Sequence, residues 1–353
     1  MFRHYGLTHR ATLLAILVAV LLISPKVVAA KPAIAKLELQ NISISASPVS
    51  SFDGRDSSRL RFGKLRWLGG LTLSSSSPYF GGFSGLAIGP KGEKMAAVSD
   101  AGFWLTARIR YRGTQPSGIT HARVGPLRAR DGRKLTGVRE IDAEGMSLIT
   151  GTPENGQAFI TFERLHRIGR FKLNGEGVVG PTSYLRLPSY VKSLHDNRGI
   201  EAITVLKGGR RKGTVVAFAE GRRDKRGMLR GWLLGKRGAS EVFLNPIGGF
   251  DITDIASLPS GGLILLERRF RWTEGVKMRL RRIGPREIRP GAVMKGEVLF
   301  EADQRYVIDN MEGVAVHRSP RGRTVITLIS DDNFKFFQRT ILLQFELAES
   351  SQS

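Results

Sequence analysis

Carboxylates recur along this chain at two kinds of place. One set sits near the start of short stretches rich in small and apolar residues: Glu144, Glu201, Asp254 and Glu312, with Ser84 in the corresponding place upstream. These anchors are separated by 60, 57, 53 and 58 residues. A second set closes the more apolar stretch that follows each anchor: Asp100, Glu163, Glu220, Glu267 and Asp331. Carboxylates brought within a few ångströms repel one another, and the repulsion is relieved by a cation or by basic partners. Carboxylate and carbonyl oxygens are the donors that hard divalent cations take, so the chemistry expected of these nine positions is Ca²⁺ binding. No two histidines stand with a carboxylate at zinc-ligand spacing, which disfavours Zn²⁺.

Basic residues follow the acids closely. Arg164 and Arg167 come after Glu163, Arg222 and Arg223 after Glu220, and Arg268 and Arg269 after Glu267; Lys335 follows Asp331 and Asp332. Guanidinium groups grip phosphate bidentately, so a mouth built from both sets would hold a cation and an anionic oxygen ester together. The competing reading is structural: each acid and the neighbouring arginine satisfy one another and fix the packing.

The elements that must position these residues are short strands. Five segments share one pattern: an apolar strand carrying the anchor, a Gly/Pro/Lys turn, then a second strand ending in a carboxylate. Gly89-Pro90-Lys91-Gly92, Pro259-Ser260-Gly261-Gly262 and Ser319-Pro320-Arg321-Gly322 have hairpin-turn chemistry. Further alternating stretches follow each pair, such as Arg170-Phe171-Lys172-Leu173. A repeat of this length with about four strands is one blade of a β-propeller, in which first strands line a central channel and equivalent positions converge at one end. The pattern predicts an all-β chain with five visible four-stranded blades over about residues 66–350. Leu65-Arg66-Trp67-Leu68 would pair with the C-terminal Ile341-Leu342-Leu343 to close the ring. A degenerate sixth blade could lie within 105–140 or 269–307. A pair of β-sandwiches or a β-helix would not require acids at two fixed places in so long a repeat.

Composition narrows the class. The 353 residues carry a net charge of +24, with 41% hydrophobic residues, 42 glycines and no cysteine. That is enough apolar matter for a core, and it excludes disulfide scaffolds, thiolate metal sites and cysteine nucleophiles. Arg3, His4, His9 and Arg10 precede an apolar run of 11 residues at 13–23, and Val28-Ala29-Ala30 offers small residues for cleavage before Lys31. This reads as a signal peptide, too short to span a bilayer. The expected organisation is a signal peptide at 1–30, a flexible Ser/Pro/Ala-rich leader at 31–63, the propeller at 64–348 and a tail at 349–353. Residues 1–30 hold three basic residues and no acid, so the remainder would carry +21. The expectation is a periplasmic or secreted monomer with no stable membrane insertion.

The Glu-Gly and Ile-Glu-Ala first-strand motifs, the Glu163-Arg164 and Glu267-Arg268 strand ends, and Asp309-Asn310-Met311-Glu312-Gly313 together resemble the phytase-like domain family, over about residues 64–348. Its members are named for esterase-like activity of phytase type, and many are exported bacterial proteins. The resemblance implies a β-propeller and phosphoester hydrolysis, with Ca²⁺ as in β-propeller phytases. On that reading a bound cation polarises the phosphoryl group. Glu144 or Glu312 ligates it or accepts a proton from water, and His166 is the candidate general acid. Arg164, Arg222, Arg268 and Lys335 meet the anionic substrate. Ser84 departs from the pattern and leaves a gap in the acid ring.

Two rival readings compete with this one. Gly82-Phe83-Ser84-Gly85 superficially matches a nucleophile elbow, but Leu86 stands where the second glycine is needed. A non-enzymatic propeller would use its basic excess to bind an anionic ligand, a membrane surface or a partner protein. Nucleic acid is not expected for an exported chain whose basic runs at 207–212, 222–226 and 277–282 contain no aromatic residue.

Overall fold

The computed structural model describes residues 31–191, 199–236 and 238–348. The proposed signal peptide and the tail lie outside them. Among the described residues the strands form five sheets, antiparallel throughout apart from one short parallel edge pairing. This is the five-bladed β-propeller that the repeat predicts, with no sixth blade. The two stretches considered for one, 105–140 and 269–307, hold outer strands of blades 1 and 4, the short edge strand of blade 3 and loops.

Blade 1 runs Phe83–Ile88, Lys94–Ser99, Phe103–Arg112 and Gln115–Pro126 from the channel outwards, and blade 2 runs Ala143–Thr152, Asn155–Phe162, Arg167–Asn174 and Gly177–Tyr184. Blade 3 is Ile200–Val205, Val215–Arg223, Leu229–Gly235 and Gly238–Leu244, edged by Val293–Met294. Blade 4 is Asp251–Ser257, Leu263–Arg271, Gly275–Ile283 and Glu297–Ala302. Blade 5 takes Asn310–Arg318, Thr324–Asp331 and Thr340–Leu347 from the C-terminus and completes itself with Leu65–Ser74 from the N-terminal side. Phe345 there faces Trp67, and Leu342 faces Leu71. That pairing closes the ring.

The core lies between blades. Leu86 and Ala97 of blade 1 pack with Ile329 and Leu342 of blade 5, and Ala202 and Phe218 of blade 3 pack with Ile255 and Leu265 of blade 4. Strands buried on both faces read as continuous apolar runs, which is why Thr324–Asp331 is buried at every position.

The leader differs from expectation. Parts of residues 32–63 are anchored on the ring, although much of the segment is exposed. Ile34 and Leu37 are buried against blade 1. Gln40–Asn41 extends blade 1, and Ser45–Val49 pairs with Leu65–Ser74. Phe52 is fully buried, edge-on to Phe62 and stacked on Trp67. The segment has too few apolar residues to show a period, yet Ile34, Leu37, Phe52 and Phe62 are buried against the blades, while Leu39 and Leu60 stay exposed. Its backbone also pairs strand edges that would otherwise stay open.

Candidate metal centre at the channel mouth

Each inner strand begins with a β-bulge, where it carries one residue more than its partner strand. The register passes from Phe83–Ser99 to Gly85–Val98 in blade 1, leaving Ser84 unpaired. Glu201 is unpaired in blade 3 and Glu312 in blade 5 by the same shift. In blade 2, Glu144 and Gly145 together stand between the Ala143–Phe162 and Met146–Ile160 pairs. A bulge takes its extra residue out of the in–out alternation and re-aims the side chain. Here it aims three glutamates into one mouth. The inner strands crowd there: a Cβ on Gly145 would fall 2.2 Å from the Glu201 carbonyl oxygen, so only glycine fits.

The second-strand ends surround these glutamates. Oxygens of Asp142, Glu144 and Glu163 lie within 4.8 Å of one another, and so do those of Glu163, Glu201 and Glu220. Glu163 belongs to both groups. Burial and the neighbouring Asp142, Asp100, Glu163 and Glu312 push Glu144 well above the usual carboxylate range, and Glu201 is raised likewise by burial, Glu220, Glu144 and Glu312. Glu163 is pushed up to about 7, chiefly by burial and Asp142. Glu312 also rises to about 7, through burial and despite Arg268 at 3.4 Å. Asp331 is raised by burial and Asp100. One buried oxygen of Asp100, Oδ1, has no hydrogen-bond donor among the described residues. Oxygen-only donors, more negative charge than local cations balance, and an orphaned carboxylate oxygen together fit a hard divalent cation.

Blade 4 departs from the other blades by one residue. Its bulge leaves Thr253 unpaired, between Ile252–Glu267 and Asp254–Leu266. The ring position is therefore Thr253, not the expected Asp254. Asp254 falls where blades 1, 2 and 5 have Gly85, Gly145 and Gly313, fully buried between inner strands. Its carboxylate accepts the Val314 and Ile255 backbone N–H groups at 2.8 Å each. Glu267 is likewise no ligand. The strand-end position opposite Asp251 is Arg268, so Glu267 points to the other face. There it is fully buried on Arg281, with Arg279 at 3.9 Å. Arg281 also donates to the Asn245 and Lys295 carbonyls at 2.9 and 3.0 Å.

The remaining expected residues divide. Arg164 stands at the mouth, its Nε 2.6 Å from Asp142 Oδ2. Arg268 reaches Glu312. Arg222 is half-buried just beyond Glu220. Lys335 is exposed, its ammonium 5.8 Å from the Phe337 ring centroid, and is not drawn into the acid groups. His166 is buried beneath the rim, packed so close to Gly199 that a Cβ there would lie 2.7 Å from Nδ1.

Sequence reasoning missed two residues of the mouth. Asp142 immediately precedes the blade 2 inner strand, opposite Glu163, and the carboxylate two residues before Glu144 was the available signal. Lys31 had none: its Nζ lies 2.6 Å from Asp100 Oδ2 and beside Asp142 and Glu144, carried there by the segment read as a leader. A pocket of about 370 Å³ opens between Lys31, Asp100, Asp142 and Arg164.

The family described as "Phytase-like: Esterase-like activity of phytase" matches residues 78–334, which contain every blade's first two strands and the whole acid mouth. The chain belongs to this family. At family level its function is that of a phytase-like hydrolase. No curated protein matches the chain. Among solved structures it is similar to AofleA from Arthrobotrys oligospora at 7% identity and TM-score 0.37, over 81% of this chain and 83% of that one. It is also similar to U3-55K at 11% identity and TM-score 0.37, over 80% of this chain and 98% of that one. At such distance neither bears on the site.

Proposed function

We propose that the chain is a metal-dependent phosphoester hydrolase acting at the channel mouth, with Ca²⁺ as the cation. The observation that carries this reading is the pair of carboxylate groups, Asp142–Glu144–Glu163 and Glu163–Glu201–Glu220, joined by Glu163. These five residues would hold the cation, with Asp100 and Asp331 beside them. When bound, the cation would neutralise charge on a phosphoryl oxygen and make water more acidic. The chain's own residues do the rest. Arg164, paired with Asp142, and Arg268, beside Glu312, would supply guanidinium groups to an anionic ester. Glu312, whose folded pKa lies at about 7, holds or gives up a proton near neutral pH and is the candidate base. The same reading has the chain exported, and N-terminal sequencing of the exported form should then start at Lys31.

The test is turnover of phytate and of a chromogenic phosphomonoester by the purified protein, with added Ca²⁺ and with chelator. Hydrolysis of either that chelator abolishes and Ca²⁺ restores is the expected result. Absence of turnover of both under every divalent cation tried sinks the hydrolase reading. A Ca²⁺-dependent rise in thermal midpoint without turnover would leave a metal-binding propeller.

A further inference from the structure

Four large aromatic side chains stand in solvent at the end of the ring that carries the acids. Phe270, near the end of the second strand of blade 4, and Trp272, in the turn after it, are 57% and 93% exposed, and Phe336 and Phe337 on the corresponding loop of blade 5 are 95% and 67% exposed. Both loops continue second strands past their acid-level residues, Arg268 and Asp331, so both project beyond the mouth. Each loop pairs its own two rings, at centroid distances of 6.1 and 5.4 Å. An isolated exposed leucine means little, but four aromatics on adjacent blades, wholly unlike the chain's other tryptophans, call for an occupant. Trp67, Trp104 and Trp232 are all buried.

The charge around these rings selects the occupant. Lys335 and Lys225 are exposed, and Arg271, Arg339, Arg223 and Arg226 stand on the same side, each paired with a nearby carboxylate: Glu274, Asp309, Asp251 and Asp224. Trp and Phe beside Arg and Lys match the interface of an anionic bilayer: rings enter the headgroup layer while cations meet lipid phosphates. The overall +24 adds a long-range attraction of the same sign. We infer that this face docks on an anionic phospholipid surface through the blade 4 and blade 5 loops, turning the acid mouth toward the lipid headgroups. The docking does not depend on whether the mouth hydrolyses an ester.

Trp272 is a built-in reporter, because the other three tryptophans are buried and the apolar run at 13–23 contains none. The full chain is mixed with vesicles of phosphatidylcholine alone and with vesicles that also contain phosphatidylglycerol. The expected result is a blue shift of emission and quenching by brominated acyl chains with the anionic vesicles, weakened by high salt. The Phe336→Ala/Phe337→Ala variant keeps the reporter and should bind roughly tenfold more weakly, with an unchanged thermal midpoint. Three outcomes overturn the proposal: vesicle binding without quenching, which places contact elsewhere on the chain; equal binding to neutral vesicles; and a blue shift that grows with protein concentration without vesicles, which makes the occupant a second copy.

Discussion

Blades 2 and 4 carry the same kind of acidic motif and use it in opposite ways. In blade 2, Asp142, Glu144 and Glu163 face one another across the mouth, with Arg164 as the nearby cation. In blade 4, Asp254 and Glu267 are withdrawn from the mouth altogether. One is bound by backbone amides and the other by Arg281. Blade 4 instead presents Thr253 and Arg268, and the Thr253 hydroxyl turns to the carbonyls of Leu266 and Met311. The same residue type is thus destabilising in one blade and structural in the other. The difference teaches that an acid at a repeat position must be judged by the partner it meets.

Burial raises Asp254 and Glu267 above the usual carboxylate range as it does Glu163, so what separates the blades is the partner that each acid leaves behind when it is replaced. The largest effect is expected for Glu267→Gln, which leaves Arg281 buried beside a neutral group: about 3–5 kcal/mol of lost stability by denaturant unfolding. Replacing both partners, as Glu267→Leu/Arg281→Met, should recover most of it. Asp254→Ala leaves the Val314 and Ile255 amides without an acceptor and should cost about 1–3 kcal/mol. None of these variants should alter the Ca²⁺-induced thermal shift. Glu163→Gln is the opposite case: it relieves repulsion, so the metal-free protein should gain on the order of 1 kcal/mol, and the Ca²⁺ shift should vanish. If Glu163→Gln instead destabilises the metal-free protein as Glu267→Gln does, the contrast between the blades collapses.

The crowding of these acids also sets a pH dependence. Glu163 and Glu312 have folded pKa values of about 7, above the ordinary 4.5. Between those limits the folded chain retains protons that the unfolded chain has lost, so stability falls as pH rises through the window. Below it, both states are protonated and the effect is absent. With chelator present the thermal midpoint should decline from about pH 4.5 to 7, and saturating Ca²⁺ should flatten that decline. A midpoint that rises across the window without cation would show that the mouth's carboxylates are paired rather than crowded.

Much of this was legible in the residues. The spacing of Ser84, Glu144, Glu201, Asp254 and Glu312, together with the hairpin turns, specifies five repeats of a β-blade. The apolar run at 341–347 and its match at 65–71 specify the closure. Glu144, Glu201 and Glu312 were found because a glutamate in an apolar strand start is conspicuous. Lys31 and the packing of Phe52 were not legible, because each depends on one contact with a distant blade and leaves no local period.

The sequence alone determined that this is a cyclic all-β chain with acids at recurring places and an excess of positive charge elsewhere. Only the tertiary structure decided which acids meet. Side chains in a strand alternate faces, so a one-residue difference in where a bulge falls sends a carboxylate to the mouth or into the core. That register is fixed by pairing with the neighbouring strand, as between Ile252 and Glu267 in blade 4, and the linear pattern does not contain it.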